Sequence, residues 1–297
     1  MSRLRLLVVG RTGQVAAALQ ALGSGGIEIV AVGRPQVDLA ARDGLAGLEG
    51  IAADAVVNAA AYTAVDRAEH DPAAAFALNA DGAGRLAAWC AARGLPLVHL
   101  STDYVFDGAK LGAYHEEDET GPLQVYGASK LAGEHAVRAA PGRAVILRAS
   151  WVYGPRGSNF VRSILRAAAQ GRALRVVEDQ RGCPTAAADL ADVVVRVAGA
   201  LARGEGAAGM FHAAGEGACT WLELARAALE ESARLGGPAA EVEPIAAAAY
   251  GAPAPRPANS ALDCARLAQV YGLRAPPWRV SLQRCIAAIA ATGFRLD

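Results

Sequence analysis

The sequence predicts an α/β fold, a doubly wound parallel sheet carrying a smaller C-terminal lobe, and three observations support it. Short, mostly apolar runs alternate with helix-like segments through the first half of the 297 residues, as strands joined by crossover helices do. A glycine turn follows the first run at the point where a helix opens. The composition, 53% hydrophobic and 20% charged, is far from that of disordered chains and allows a large buried core.

Taken in order, strands are expected at residues 4–9, 27–32, 55–58, 96–101 and 144–149. Helices are expected at 14–22 and 125–138. Asp71-Pro72 reads as an N-cap followed by proline at the first helical position, opening one long alanine-rich helix to about residue 92, with Gly94 ending it. Beyond Trp151 the pattern loosens into helices at 160–169, 187–202 and 221–233 and a Pro/Ala-rich stretch at 238–257. Thr220 with Glu223 forms a capping-box pair, and Ser281 is placed to cap the last helix. The expected division is a nucleotide-binding domain over 1–150. A mainly substrate-binding lobe follows over 151–297, with some of its segments returning to complete the sheet.

Composition also excludes classes of function. Lys+Arg 29 against Asp+Glu 29 leaves a formal net charge of zero, so no global basic field favours nucleic acid or an anionic membrane. No apolar stretch approaches the roughly 18 residues of a membrane span, and residues 1–10 lack a signal-peptide core. Five cysteines, odd in number and without a C-x-x-C, argue against a disulfide framework or zinc ribbon. A soluble cytoplasmic protein is the expectation.

Residues 10–16 read G-x-x-G-x-x-A between a strand and a helix, where backbone N–H groups and a helix N-terminus can hold a pyrophosphate. On the residues alone a bare turn is the alternative. At the end of the second strand a site preferring NAD would carry an acid. Here stand Gly33 and Arg34, and Arg34, with Arg11, can pair with a 2′-phosphate, so NADPH is favoured with NADH possible.

Tyr126 and Lys130 fall at i and i+4 near the start of a helix, on one face. An ammonium beside a phenol stabilises the phenolate and brings its pKa toward the working range, as acid or base catalysis needs. Of the 29 basic residues only Lys110 and Lys130 are lysines, so a lysine at this spacing is informative. A solvent-facing pair is the alternative. Ser101-Thr102-Asp103-Tyr104 closes a strand at the carboxyl edge of the sheet, where Thr102 can steady a carbonyl or merely cap a turn. Seven of the 16 aromatic residues, Tyr104, Phe106, Tyr114, Tyr126, Trp151, Tyr153 and Phe160, fall between 101 and 160, which suggests a pocket there.

With these residues in view, the chain resembles the extended short-chain dehydrogenase/reductases, and within them the dTDP-4-dehydrorhamnose reductase family. The matching stretches are GRTGQV (10–15), VVNAAAYTAVDRAE (56–69), LNA (78–80), STDYVFDG (101–108), YGASKLAGE (126–134), RASWVYG (148–154), NF (159–160), EDQRGCPT (178–185) and RPANS (256–260), in order along most of the chain. The resemblance implies a Rossmann-type sheet and reduction of the C4 ketone of a nucleotide-linked keto sugar. It implies that Gly10, Gly13 and Gln14 hold the cofactor pyrophosphate and that Ala59, Ala60, Ala61 and Tyr62 line its adenosine side. Arg11, Thr12, Val15, Arg34, Asp38 and Leu39 would also bind the cofactor. Tyr126 would be the acid, Lys130 would bind the nicotinamide ribose, and Thr102 would orient the ketone. Asp103, Tyr104, Trp151 and Asn159 would line the sugar pocket, with Arg256 and Asn259 reaching the diphosphate.

The sequence departs from the family where some members build a magnesium-linked dimer from glutamates, because the matching positions are Ala18 and Ala188. No metal site is expected, and the chain is expected to be a monomer or a metal-independent homodimer. The competing readings are another nucleotide-sugar reductase, epimerase or dehydratase, and a non-catalytic regulatory subunit that binds nucleotide.

Overall fold

The computed structural model describes residues 3–23 and 26–296. Six strands, β1 (Leu4–Val9), β2 (Ile27–Val32), β3 (Ala55–Asn58), β4 (Leu97–Thr102), β5 (Ala144–Ala149) and β6 (Gly209–His212), form one sheet in the order β6-β5-β4-β3-β1-β2. Every neighbouring pair is parallel. The connecting helices in chain order are α1 (Gln14–Ala21), α2 (Val65–His70), α3 (Pro72–Phe76), α4 (Ala83–Ala92), α5 (Val125–Ala139), α6 (Phe160–Ala169), α7 (Ala187–Ala202), α8 (Trp221–Arg234), α9 (Ala247–Tyr250), α10 (Ala265–Tyr271) and α11 (Trp278–Ala290). From β1 the chain passes to β2 on one side and then crosses to β3 on the other. The switch point therefore lies between β1 and β3, and a crevice opens at their carboxyl ends beside Gly10 and Ala59.

Alternation along the strands explains why they read as continuous apolar runs. Val8, Val57 and Leu147 point to one face and pack with Leu19 of α1 and Val194 of α7. Leu7, Val56 and Ile146 point to the other and pack with Leu86 of α4 and Val137 of α5. A second core, built around Leu165, Leu229 and Ile286, joins α6, α8 and α11 into the C-terminal lobe. That lobe is not separate in sequence, since residues 209–212 return to extend the sheet beside β5.

Two local features differ from expectation. Asp71 caps α3, its carboxylate accepting from the Ala74 amide at 3.2 Å, with Pro72 in the first turn. The helix that follows is not uniform, however, because Ala77–Gly82 widens into a π turn before α4. Apolar spacing barely changes across one such turn, which hides it from the sequence. The last helix starts at Trp278 behind Pro277, so Ser281 is not its cap. Ser281 instead donates its hydroxyl to Asp189 on α7. The Thr220–Glu223 capping box forms in both directions. Among the described residues no helix is long and apolar enough to cross a membrane.

Candidate active site

The glycine turn sits at the switch point. Gly10 adopts φ +115° and lies so near the loop after β3 that a Cβ there would come within 2.8 Å of the Ala59 carbon and Ala60 nitrogen. Only glycine permits both the backbone angle and that approach. Gly13 precedes α1 with no side-chain cap and nothing within 4 Å of where its Cβ would be, leaving the helix N-terminus open toward the crevice. A glycine cradle and an uncapped helix start are what a dinucleotide pyrophosphate needs, so the residues fit such a cofactor. Arg11 and Arg34 are exposed, and Gly33 packs against the Arg11 Cβ, which brings both guanidinium stems to one rim. Asp38 accepts the Ala40 amide at 3.0 Å. Leu39 is buried and receives a hydrogen bond from Arg85 at its carbonyl.

The π turn supplies a residue that sequence reasoning left without a role. It turns Asn79 inward, where the amide oxygen accepts from Tyr62 N at 2.8 Å. Its nitrogen donates to the Tyr62 carbonyl and to the Ser129 hydroxyl at 2.9 Å. Asn79 thereby ties the Ala59–Ala60–Ala61–Tyr62 loop to α5, and the buried Tyr62 hydroxyl has no partner among the described residues. An asparagine inside an alanine-rich helix was the available signal, since such residues avoid helix interiors without a task.

At the end of β4 the three proposed catalytic residues come together. The Thr102 hydroxyl lies near the Tyr126 phenol. It donates its proton to Asp103 at 3.1 Å and accepts from Tyr104 N. Tyr126 meets Tyr104 edge to face with ring centroids 6.1 Å apart. Lys130 is buried and donates from Nζ to the Leu100 carbonyl at 2.6 Å. Burial pushes the Tyr126 phenol up to about 12, opposed by the nearby Thr102 hydroxyl and reinforced by the Asp103 charge. The sequence reading expected a lowered phenol, but here burial outweighs every favourable contact, and the ammonium is held by a backbone carbonyl. Burial also lowers Lys130 to about 8, and the Glu134 carboxylate opposes that fall. Asp103, a buried carboxyl that accepts from Thr102 and Ser150, is raised by burial to about 6.

Beside this cluster lies a cavity of about 860 Å³ lined among others by Tyr104, Phe160, Gln180, Trp221, Tyr250 and Arg256. Arg256 reaches it while paired with both carboxylate oxygens of Asp66 at 2.5 and 2.9 Å. Trp151 is one layer further back. Its indole stacks on Trp221 at 3.4 Å and presses on Gly182, where a Cβ would lie 2.3 Å from the ring. Its φ of +46° is unusual for a bulky residue and is held by those contacts. Trp221, which the sequence placed only at the start of a helix, therefore presents the ring that faces the cavity.

Two asparagines expected at the ligand are committed elsewhere. Asn159 caps α6 through the Arg162 amide and donates to Gln14 and the Gly154 carbonyl. Asn259 donates to the Lys110 and Gly112 carbonyls at 2.7 and 2.8 Å and turns back to accept from Ala261 N. Both polar ends of each amide are occupied, so each residue shapes the site's walls. Gln14 bridges the two lobes, donating to the Val152 carbonyl while accepting from Asn159. The aromatic cluster divides in the same manner: Phe106, Tyr114 and Tyr153 are core, whereas Tyr104 and Phe160 reach the cavity. Near the family's metal positions, Asp189 is engaged by Ser281 and Arg284. Among the described residues no group of His, Cys, Asp and Glu is arranged to hold a metal.

Comparison with known proteins places these observations. Residues 4–291 match the family model described as the RmlD substrate binding domain. A curated dTDP-4-dehydrorhamnose reductase from Sinorhizobium fredii is 45% identical over 293 residues, covering 98% of this chain and 99% of that protein. A dTDP-4-dehydrorhamnose reductase from Clostridium acetobutylicum superposes with a TM-score of 0.89 at 32% identity, covering 97% of this chain and 100% of that one. The Bacillus anthracis dTDP-4-dehydrorhamnose reductase, solved in complex with NADP, superposes with a TM-score of 0.88 at 30% identity, covering 97% and 99%.

Proposed function

Because the chain belongs to the dTDP-4-dehydrorhamnose reductase family, we propose that it reduces the C4 ketone of dTDP-4-dehydro-L-rhamnose to give dTDP-L-rhamnose, with NADPH as reductant. The observation that supports this most directly is the gathering of Thr102, Tyr126 and Lys130 between a cavity large enough for a nucleotide sugar and the glycine turn at the switch point. When bound, NADPH supplies the hydride. Gly10, Gly13 and the start of α1 hold its pyrophosphate, and Ala59 to Tyr62, fixed by Asn79, form the adjoining wall. Tyr126 gives its proton to the ketone oxygen as negative charge builds there. Thr102 orients the ketone beside that phenol, and the Lys130 ammonium stabilises the phenolate left behind. Arg256, aimed by Asp66, meets the substrate diphosphate, and Trp221 backed by Trp151 gives a flat apolar wall.

The test is purified protein with NADPH and dTDP-4-dehydro-L-rhamnose. Stoichiometric NADPH oxidation is expected, whereas epimerase or dehydratase chemistry consumes none on balance. Turnover and light-scattering mass are both expected to survive dialysis against EDTA, since alanine at positions 18 and 188 supplies no oxygen ligand. Recovery of either on adding magnesium would overturn the reading of the chain as a monomer or metal-independent homodimer. A cytoplasmic location agrees with the five free cysteines.

Cofactor choice rests on Arg34, which is exposed and without an ion pair among the described residues. Arg34→Ala is expected to raise KM for NADPH by about 10-fold, the loss of one charge-assisted contact, and to leave KM for NADH nearly unchanged. Equal changes for the two cofactors would show that Arg34 does not read the 2′-phosphate.

A further inference from the structure

Behind the catalytic pair lies a buried ionic cluster with no part in the chemistry described above. Glu134 is one helical turn beyond Lys130 on α5 and is fully buried. It accepts two hydrogen bonds from Arg148 of β5, from Nε at 2.9 Å and from the terminal nitrogen at 2.6 Å. It accepts a third from the Ser101 hydroxyl at 2.5 Å. Ser101 stands between Leu100, whose carbonyl receives Lys130 Nζ, and Thr102, which lies near Tyr126. One carboxylate therefore joins the helix that carries Tyr126 and Lys130 to the strand end that carries their partners.

We propose that Glu134 is a positioning residue for the catalytic pair, holding the end of β4 that receives Lys130 Nζ against α5 through Ser101 and Arg148. The inference rests on the assignment of Lys130 to the active site, and it predicts that Glu134 sustains the charge of the buried Lys130. The other groups around Lys130 leave that task to Glu134. His99 of β4 is buried, bonds Asn58 through Nδ1, has no partner at Nε2, and is held neutral by burial and by the nearby ammonium. Arg148 of β5 is cationic. Asp103, in the turn after β4, is engaged by Thr102 and Ser150. Glu69 of α2 bonds the Val125 amide at the start of α5, and Asp81 of the π turn is exposed. Glu134 is the carboxylate that sustains the ammonium against burial.

The chain makes the test unusually direct, because Lys110 and Lys130 are its two lysines. Protein labelled with ε-13C lysine gives two side-chain signals, and Lys110→Arg assigns them. Titrated without cofactor or substrate, wild-type Lys130 is expected near pH 8, the position to which burial lowers it. In Glu134→Gln the midpoint should fall by about one unit or more, and in Glu134→Asp, which keeps the charge, by less than about half a unit. Since Glu134→Gln leaves Arg148 buried without a counter-charge, Glu134→Gln/Arg148→Met replaces it if the single variant fails to fold, with a smaller fall expected because the Arg148 cation that repels the ammonium goes with the carboxylate. A midpoint unmoved in the folded Gln variant would overturn the proposal, as would a wild-type Lys130 titrating with an ordinary lysine. The alkaline limb of kcat/KM should follow the NMR midpoint. If the midpoint moves and the limb does not, the failure lies with the catalytic assignment of Lys130.

Discussion

Tyr126→Phe is expected to lower kcat with the keto sugar by about 100-fold or more while changing the NADPH dissociation constant less than about 2-fold. The substitution removes one hydroxyl and leaves the ring, so the edge-to-face contact with Tyr104 at 6.1 Å persists and the pocket keeps its shape. With the phenol raised by burial to about 12, the acid is fully protonated through the neutral range. Proton supply is therefore not limiting. The difficulty is the charge left on the oxygen, and that charge forms next to Thr102 and one helical turn from Lys130, which is protonated below about pH 8. Steady-state kinetics and a fluorescence titration of NADPH check the result together. Retention of more than about a tenth of wild-type kcat would remove Tyr126 from the role of acid.

Much of this arrangement was legible in the sequence because the relevant signals are local. Strands β1, β2, β3 and β5 occupy the residues their apolar runs indicate, and Tyr126 and Lys130 share a face because four residues make about one turn. What escaped depends on contacts between distant segments. Trp221 lies far from Trp151 along the chain, so no spacing rule shows that one covers the other. Glu134, Ser101 and Arg148 come from a helix and two strands, and their meeting follows from the β4–β5 register and the packing of α5. Asn159 and Asn259 were assigned to the ligand because they sit in matching motifs. Their amides are instead consumed by a helix start and a loop, tasks that asparagine performs with the same atoms it would offer a substrate. The π turn at Ala77–Gly82 escaped for another reason, since its i→i+5 backbone hydrogen bonding leaves no mark in an alanine-rich run.

Replacing Gly10 by alanine is expected to be the most damaging change at the cofactor end, even though it adds one methyl group. The residue sits at φ +115°, a region that L side chains rarely adopt, and this alone costs about 1–3 kcal/mol. The new Cβ would also come within 2.8 Å of the Ala59 carbon and the Ala60 nitrogen. Those are backbone atoms with no rotamer to yield, and Asn79 anchors the same loop at Tyr62 through two hydrogen bonds. Relief therefore has to come from moving the glycine turn away from the end of β3. That shift opens the crevice at the switch point and misdirects the start of α1, whose amides are left free by the absence of a side-chain cap at Gly13. The stability loss should accordingly appear as a lower denaturation midpoint, and NADPH affinity should fall by about 100-fold, close to 2.7 kcal/mol. Gly112→Ala is the matched control, because open space lies where its Cβ would be and it stands outside the glycine turn. If Gly10→Ala and Gly112→Ala bind NADPH equally well, the close approach of the two loops does not shape the cofactor site.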